Sequence, residues 1–277
     1  MRADQRAKRD AFLDTIGRRP VVMGILNLTP DSFSDGGRFV GAEAALAHAA
    51  RMAAEGCDII DVGGESTRPG ALAISAAEEL ARVESVLAKL AATLAVPLSI
   101  DSYKSSVARR AVELGAVLIN DVWGLQKDPT MADTVAATEA AVVLMHNRSE
   151  KDASIDIIAD IRRFFAHSLE IAENAGIVRS RIILDPGIAF GKTARQNVEV
   201  LARLGDLNAF GCPILVGVSR KAFLGSLNAD GDEGSLFGTV AANLAAAING
   251  AAIFRVHDVA ANVIALKVLD AIRKNQH

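Results

Sequence analysis

The strongest constraint on the fold is a repeat of short apolar runs separated by longer stretches with helical spacing. Continuous apolar runs without alternation are typical of strands buried on both faces, as in a parallel sheet. Eight such runs occur, at residues 21–26, 59–62, 98–100, 117–119, 141–145, 182–184, 214–218 and 251–256. Each run ends in polar or glycine-rich residues. The chain is therefore expected to alternate buried strands with other elements.

The stretches between the runs are rich in Ala, Leu and charged residues at helical spacing, which favours helices. They cover residues 42–55, 76–92, 104–114, 132–137, 155–175, 194–207, 235–249 and 259–273. Strand–helix units repeated in this way over roughly 250 residues predict an α/β fold, a single (β/α)8 TIM barrel. A doubly wound open sheet is the alternative fold.

One domain is expected, because no long segment rich in Pro and Ser and no run of charges divides the chain. We predict that residues 20–277 form the barrel domain. Residues 1–19 are predicted to be a short N-terminal helical extension that plugs the bottom of the barrel or packs beside it.

Composition excludes several classes of protein. A formal net charge of −3 argues against a general nucleic-acid binder, which needs a basic face. No apolar run approaches the ~20 residues of a membrane span, and the first residues lack the apolar core of a secretory signal. Cys57 and Cys212 have no metal-ligand or disulfide spacing, so they are expected to be buried thiols. A cytoplasmic protein without membrane or nucleic-acid partners is expected.

Polar residues follow nearly every predicted strand. The carboxyl ends of all strands of a barrel meet at one face, so these residues are candidates for chemistry. Asp and Asn are ordinary turn formers. Turn formation does not explain why Lys221, Arg255, His257 and Arg68 should gather at one mouth.

These strand-end residues fall into two chemical sets. Arg68, Arg255 and His257, with the hydroxyls of Ser66 and Thr67, could hold a phosphate or diphosphate, because arginine offers a planar fork of donors and histidine can add charge near neutrality. The second set could hold a planar nitrogen heterocycle, which requires donors and acceptors at fixed angles. Its members are Asp101, Asn120, Asp185 and Lys221. The pattern predicts a site for a small molecule.

Eight segments in a fixed order carry a family resemblance. They are NLTPDSFSDGG, DVGGESTRPGA, SIDSYK, INDV, VLMH, ILDPGIAFGK, GVSRKAFLG and FRVHDV. From about residue 21 to residue 272, the chain resembles the dihydropteroate synthases of the pterin-binding barrel family. The resemblance implies a transferase of folate biosynthesis. Such an enzyme condenses 6-hydroxymethyl-7,8-dihydropterin diphosphate with para-aminobenzoate, giving 7,8-dihydropteroate and diphosphate.

The resemblance also implies roles for individual residues. The pterin ring would contact Asp101, Asn120, Met145, Asp185, Phe190, Gly217 and Lys221. The diphosphate would lie on Asn27, Thr67, Arg68, Arg255 and His257, with Mg2+ bridging Asn27 and the phosphate oxygens. The para-aminobenzoate would meet Phe33, Pro69, Phe190, Ser219 and Lys221. The catalytic residues implied are Asp101, Asp185, Lys221, Arg255 and His257. The family resemblance further implies a homodimer formed through outer helices, and a site open to sulfonamides.

Four residues near these motifs receive other interpretations. His146 is interpreted as a structural histidine with satisfied hydrogen bonds, and Asp61 as a buried carboxylate that supports the second loop. Ala189 stands where the family usually has a glycine, and Ser102 where threonine is more usual. The Ala189 methyl group would strain its turn if φ is positive there.

Two other functions are compatible with such a barrel. A pterin-binding methyltransferase would share the Asp and Asn contacts to the ring but would not need the basic residues for phosphate. A catalytically silent barrel that binds pterin or acts as a dimerising scaffold is disfavoured, because Asn27, Arg68, Lys221, Arg255 and His257 are all present. Product formation from the two substrates discriminates among the three.

Overall fold

The structure is a computed structural model that describes residues 1–29, 37–66, 72–227 and 231–275, with the backbone alone for residues 37–40. The strands are β1 (Val21–Asn27), β2 (Ile59–Gly63), β3 (Leu98–Asp101), β4 (Leu118–Asp121), β5 (Ala141–Met145), β6 (Ile182–Asp185), β7 (Leu215–Val216) and β8 (Ile253–Val256). The helices are α1 (Ala3–Thr15), α2 (Gly37–Ala54), α3 (Ala76–Thr93), α4 (Ser105–Leu114), α5 (Met131–Thr138), α6 (Ile157–Asn174), α7 (Ala194–Ala202), α8 (Gly231–Ile248) and α9 (Val259–Lys274). In the part of the chain that the structure describes, no helix is both long and apolar enough to cross a membrane.

The eight strands are parallel and pair with their neighbours in the chain, in the order β6-β5-β4-β3-β2-β1-β8-β7. A parallel bridge between Leu184 and Ile214 joins the two ends of this order. The sheet is thus a ring with helices outside it. The predicted (β/α)8 TIM barrel is confirmed, and the doubly wound open sheet was the wrong alternative.

Buried side chains form two apolar layers. The larger layer lies between the strands and the surrounding helices. The smaller one fills the barrel interior and joins Phe12 of α1 to Val21, Met23 and Ile253, which begin or lie near the start of their strands. Burying one such phenylalanine is worth roughly 1.5–3 kcal/mol. Helix α1 therefore covers the amino-terminal end of the barrel, as the sequence predicts for this segment.

Helices α3 and α7, which follow the polar ends of β2 and β6, begin at capping boxes. The Ser75 hydroxyl accepts the Glu78 N–H at 3.2 Å, and the Glu78 carboxylate accepts the Ser75 N–H at 3.0 Å. Thr193 and Gln196 form the same reciprocal pair at the start of α7. Such capping boxes satisfy backbone donors that a helix leaves unpaired. These caps fix the residues at which α3 and α7 begin, after the loops that follow β2 and β6.

Strand β7 and helix α7 are shorter than predicted. Strand β7 has only Leu215 and Val216, because the chain turns immediately afterwards, with the Lys221 N–H bonded to the Val218 carbonyl and φ of 56° at Arg220. Helix α7 ends at Ala202, and a 3-10 segment, Leu204–Phe210, completes the predicted helical stretch. Gly211, in the left-handed conformation, ends that segment.

Candidate active site

The strand register places the predicted polar residues at one level. Asn27 pairs with Gly63, Gly63 with Asp101, and Asp101 with Asn120. On the next pair of strands Met145 is opposite Asp185. Because these are the last or nearly last residues of their strands, they form a rim at the carboxyl end of the barrel. This is the end where TIM barrels hold their active sites.

A cavity of about 840 Å³ opens at this rim. Every predicted site residue that lies in the described ranges contributes to its wall: Asn27, Asp101, Asn120, Met145, Asp185, Phe190, Gly217, Ser219, Lys221, Arg255 and His257. Four predicted residues, Phe33, Thr67, Arg68 and Pro69, lie outside the described residues. The cavity suits a ligand of ordinary drug-like or cofactor-like size.

Arg255 is held in the floor of the cavity by two carboxylates. Its Nε lies 2.7 Å from Asp61 Oδ2, and its Nη2 lies 2.7 Å from Asp101 Oδ2. The Asn120 amide donates to the same Asp61 oxygen at 2.9 Å. Asp61 therefore supports Arg255 and Asn120 across the barrel. As predicted, Asp61 is a buried carboxylate with hydrogen-bond partners. Residues 67–71 of the second loop, which it was predicted to support, lie outside the described residues.

The cavity floor also holds buried oxygens that lack a partner. Among the described residues, Asp61 Oδ1, Asp101 Oδ1 and Asn120 Oδ1 are buried without a hydrogen bond. A buried acceptor without a donor costs roughly 1–3 kcal/mol. A ligand that brings N–H donors to Asp101 and Asn120 would recover part of that cost.

Electrostatics of the floor follow from burial. Burial raises the pKa of Asp101 above its usual range, and Arg255 opposes that rise. Burial also raises the pKa of Asp185 to about 6, against the Gly187 N–H that donates to it. For Arg255 burial acts to lower the pKa, but Asp61 and Asp101 outweigh it and the pKa is raised. The guanidinium thus stays charged between its carboxylates.

His257 and Ser219 form a second group of the wall. The His257 backbone N–H donates to Ser219 Oγ at 3.1 Å, and Ser219 Oγ lies 3.0 Å from His257 Nδ1. With Nδ1 accepting from the hydroxyl, Nε2 is the protonated nitrogen of a neutral ring. Burial, followed by the Arg255 charge, lowers the pKa of His257 to about 4. The sequence argument expected charge on this histidine near neutrality, whereas burial leaves it a neutral donor.

Lys221 and Phe190 meet across the mouth. Lys221 Nζ lies 4.5 Å from the centre of the Phe190 ring, within the range of a cation–π contact. The two residues are on different loops, after β7 and after β6. This contact brings both predicted wall residues to one side of the cavity.

Sequence reasoning missed Lys192, a charged residue of the cavity wall, although it ends the segment ILDPGIAFGK. Lys192 lines the cavity and its Nζ lies 2.7 Å from His146 Nδ1. His146 also contacts Asp160 at 3.2 Å, so its interpretation as a structural histidine with satisfied hydrogen bonds is confirmed. The signal for Lys192 was its positive charge at the end of an apolar and glycine-rich stretch, residues 186–191.

Ala189 has φ of 71°, the condition under which strain was predicted. Its N–H donates to Asn197 Oδ1 at 2.7 Å, which holds the turn in place. The left-handed conformation costs a non-glycine residue roughly 1–2 kcal/mol, whereas glycine loses roughly 0.5–1 kcal/mol more backbone entropy than alanine. Ala189→Gly should therefore stabilise the chain by about 0.5 kcal/mol, measured by denaturant unfolding.

A matched control is Ala241→Gly, at an exposed position inside α8. The backbone there is already helical, so glycine should destabilise by about 1 kcal/mol. A destabilised Ala189→Gly variant would mean that packing of the methyl group outweighs the strain.

Comparison with known proteins matches this geometry to one family. The family model described as pterin binding enzyme matches residues 23–257. A dihydropteroate synthase of Clostridium beijerinckii is 45% identical over 259 residues, which are 93% of this chain and 96% of that protein. The chain belongs to the dihydropteroate synthase family of pterin-binding enzymes.

Solved dihydropteroate synthases have the same fold. The Xanthomonas albilineans enzyme with 4-aminobenzoic acid is 48% identical with a TM-score of 0.88, covering 92% of this chain and 93% of that one. The Yersinia pestis enzyme in a sulfonamide drug complex is 44% identical with a TM-score of 0.86, covering 93% and 95%. The family resemblance seen in the ordered motifs is confirmed over most of the chain.

Proposed function

We propose that the rim of this barrel joins 6-hydroxymethyl-7,8-dihydropterin diphosphate to para-aminobenzoate, with release of diphosphate and formation of 7,8-dihydropteroate. As a dihydropteroate synthase, the chain is a transferase of folate biosynthesis. The observation that carries the proposal is the cavity floor, where unpartnered oxygens of Asp101 and Asn120 lie beside the Arg255 guanidinium. Those oxygens suit the N–H groups of a pterin, and the guanidinium suits an anion.

The pterin ring would lie over this floor. Asp101 Oδ1 and Asn120 Oδ1 would accept its N–H groups, and the ionised Asp185 would accept a further one. Met145, Phe190 and Gly217 would form walls around the ring, since all three line the cavity. The Lys221 ammonium would donate to an acceptor of the ring. In this arrangement the buried oxygens regain hydrogen bonds on binding.

The reaction is a substitution at the pterin methylene group. The bond from that carbon to the diphosphate oxygen breaks, a bond to the aryl amine nitrogen forms, and the amine loses a proton. Negative charge grows on the leaving diphosphate, where Arg255 and the neutral N–H of His257 would stabilise it. Thr67 and Arg68, which lie outside the described residues, complete the proposed phosphate contacts.

Magnesium is proposed to bind at Asn27. A Cβ added to the neighbouring Gly63 would lie 3.5 Å from Asn27 Oδ1, so the glycine leaves space beside that amide oxygen. Within the described ranges no three His, Cys, Asp or Glu side chains gather as metal ligands. Mg2+ commonly takes few protein ligands and completes its shell with phosphate oxygens and water, so one amide oxygen fits. When bound, the ion would neutralise charge on the diphosphate.

The second substrate is proposed to lie nearer the outside of the rim. Phe190, Ser219 and Lys221 would contact its ring and carboxylate, together with Phe33 and Pro69, which lie outside the described residues. Sulfonamides carry a similar aryl amine and would compete for these contacts. Relatives solved with 4-aminobenzoic acid and with a sulfonamide drug support a site for this class of molecule.

Phe33→Ala should raise the KM for para-aminobenzoate far more than the KM for the pterin diphosphate. The physical reason is that the Phe33 ring is proposed to cover the aryl ring of the second substrate, and removing such an aromatic contact costs roughly 0.5–1.5 kcal/mol beyond lost apolar area. Steady-state kinetics with each substrate varied in turn measures both constants. Equal rises in the two KM values would contradict the role given to Phe33.

One assay tests the proposed function as a whole. Pure protein is incubated with the pterin diphosphate, para-aminobenzoate and magnesium, and both diphosphate and dihydropteroate are measured. We expect equal amounts of the two products, and their loss when magnesium is chelated. Methyl transfer from a methylated pterin without diphosphate release would favour the methyltransferase alternative. Pterin binding without any product would favour the silent barrel.

A homodimer in the cytoplasm is also proposed. Helices α8 and α9 carry exposed large apolar side chains: Phe237, Ile248, Ile264, Val268 and Ile272. The last three repeat every four residues and so share one helix face. An exposed apolar face of this kind suits contact with a second copy of the chain.

A further inference from the structure

Lys192 is a buried lysine in the cavity wall that the proposed chemistry does not use. Its side chain is 1% exposed, and lysine is almost never fully buried unless it is paired. Nζ donates to the Gly187 carbonyl at 2.7 Å, the Phe190 carbonyl at 3.2 Å and His146 Nδ1 at 2.7 Å. These bonds use all three donors of an ammonium group.

The bond to His146 connects Lys192 to a carboxylate outside the cavity. Burial, followed by the Lys192 charge, lowers the pKa of His146 to about 3, so its ring is neutral. With Nδ1 accepting from Lys192, Nε2 carries the proton and donates to Asp160 Oδ2 at 3.2 Å. Asp160 lies on α6 and also binds Arg148 at 2.6 Å. A path of hydrogen bonds thus runs from Asp160 through His146 to the Lys192 ammonium.

The two carbonyls that Lys192 binds belong to the turn between β6 and α7. That turn passes so close to the end of β5 that a Cβ on Gly187 would lie 1.9 Å from the His146 carbonyl oxygen. The Gly187 N–H donates to Asp185 Oδ1 at 2.7 Å, and Phe190 meets Lys221 on the cavity side. The shape of this turn therefore determines where Asp185 and Phe190 stand.

We propose that Lys192 is a positioning residue: its ammonium holds the Gly187–Phe190 turn so that Asp185 and Phe190 receive the pterin ring, and Asp160 supports that ammonium through His146. This inference rests on the function proposed above, and it assigns Lys192 no contact with the reacting atoms. Removing the ammonium would release the turn and weaken pterin binding. The effect on the second substrate would be smaller, because that substrate is proposed to meet this turn only through Phe190.

The charge on Lys192 depends on groups from several elements. Burial lowers the pKa of Lys192 to about 7. Asp185 at the end of β6 and Asp160 on α6 act to raise it, whereas Arg148 after β5 acts to lower it. As the pH rises through that value the ammonium loses a proton and one donated hydrogen bond. Pterin affinity should therefore fall on the alkaline side.

Lys192→Met tests the proposal, with Lys89→Met on the exposed face of α3 as the matched control. The dissociation constant of 6-hydroxymethylpterin is measured calorimetrically from about pH 6 to about pH 9, and KM is measured for both substrates. Lys192→Met should weaken pterin binding about tenfold near pH 6, in keeping with the loss of charge-assisted hydrogen bonds. The control should match the wild-type chain.

Asp160→Asn gives an independent test if Lys192→Met does not fold. It removes a charge outside the cavity, so the alkaline loss of pterin affinity should move to lower pH while the affinity near pH 6 stays unchanged. The ligand's own titration is the same for every variant. A superimposable pH curve for Asp160→Asn, or unchanged affinity in folded Lys192→Met, would overturn the inference alone. A wild-type chain that binds no pterin would overturn the proposed function as well.

Discussion

Arg255→Met should lower kcat/KM by about a thousandfold, the upper range for removal of one donor that stabilises a developing anion. Arg255 is the charged group of the cavity floor, with one side of its guanidinium on Asp61 and the other on Asp101. Its loss removes a proposed diphosphate contact and also frees Asp101 from its fixed position. Steady-state kinetics under saturating magnesium measures the effect.

The same substitution should destabilise the ligand-free chain, and by more at high pH. Asp61 and Asp101 would remain buried without a counter-charge, and breaking such a buried pair costs about 3–5 kcal/mol. Burial already raises the pKa of Asp101 and the Arg255 charge opposes that rise, so the pKa of Asp101 rises further in the variant. A carboxylate with a raised pKa favours the folded state at low pH, and that advantage disappears as the pH rises through the raised pKa. Unfolding in denaturant at about pH 5 and about pH 8 compares the two conditions.

Two further variants test the role given to Arg255. Arg203→Met is the matched control, because Arg203 also contacts two carboxylates, Glu199 and Asp206, but on the exposed surface. It should leave both activity and melting temperature near the wild-type values. Arg255→Lys keeps the charge but lacks the planar fork that reaches both carboxylates, so it should restore more stability than activity. Activity of Arg255→Met within tenfold of wild type would contradict the role given to this residue.

The part of the site that sequence reasoning predicted is the part set by strand ends. Asn27, Asp101 and Asn120 each follow or end an apolar run, and parallel pairing places such residues at one rim. No knowledge of side-chain direction is needed for that step. The fold and the rim residues could therefore be predicted from the order of the apolar runs and from the motifs that follow them.

What could not be predicted depends on side-chain direction and on distant partners. Strands buried on both faces have no polar alternation, so the sequence does not say whether Asp61 faces the barrel interior or the helices. Its contact with Arg255 spans 194 positions, and that of Lys192 with His146 spans 46. Each contact pairs groups whose positions follow from barrel closure and from the turn after β6. The local sequence pattern carries no information on barrel closure or on the shape of that turn.

Asp185→Asn should lower activity strongly and yet stabilise the ligand-free chain at neutral and higher pH. The carboxylate is proposed to accept an N–H of the pterin ring, so its replacement by an amide should cost at least about a hundredfold in kcat/KM. In the ligand-free chain, by contrast, the charge is costly, because burial raises the pKa of Asp185 to about 6. A neutral amide of the same shape avoids that cost and still offers an oxygen to the Gly187 N–H.

The sign of the pH dependence follows from the raised pKa. The folded chain binds a proton on Asp185 more tightly than the unfolded chain does, so wild-type stability falls as the pH rises from about 4 through about 6. Asparagine has no proton to lose. The melting temperature of Asp185→Asn should therefore exceed that of wild type by on the order of a few degrees at about pH 8, and the difference should vanish near pH 4.

Thermal unfolding of both chains across this pH range measures the difference, and Asp14→Asn is the matched control. Asp14 lies exposed on α1, at the opposite end of the barrel from the rim, so its replacement should change neither activity nor the pH curve. An Asp185→Asn variant that is less stable than wild type at about pH 8 would mean that the attraction of Lys192, Lys221 and Arg255 outweighs burial. Since those cations come from the turn after β6, the loop after β7 and β8, that outcome would make Asp185 a structural link between three parts of the rim. In the expected outcome, the Asp185 charge lowers the stability of the ligand-free chain, and its role is to bind the ligand.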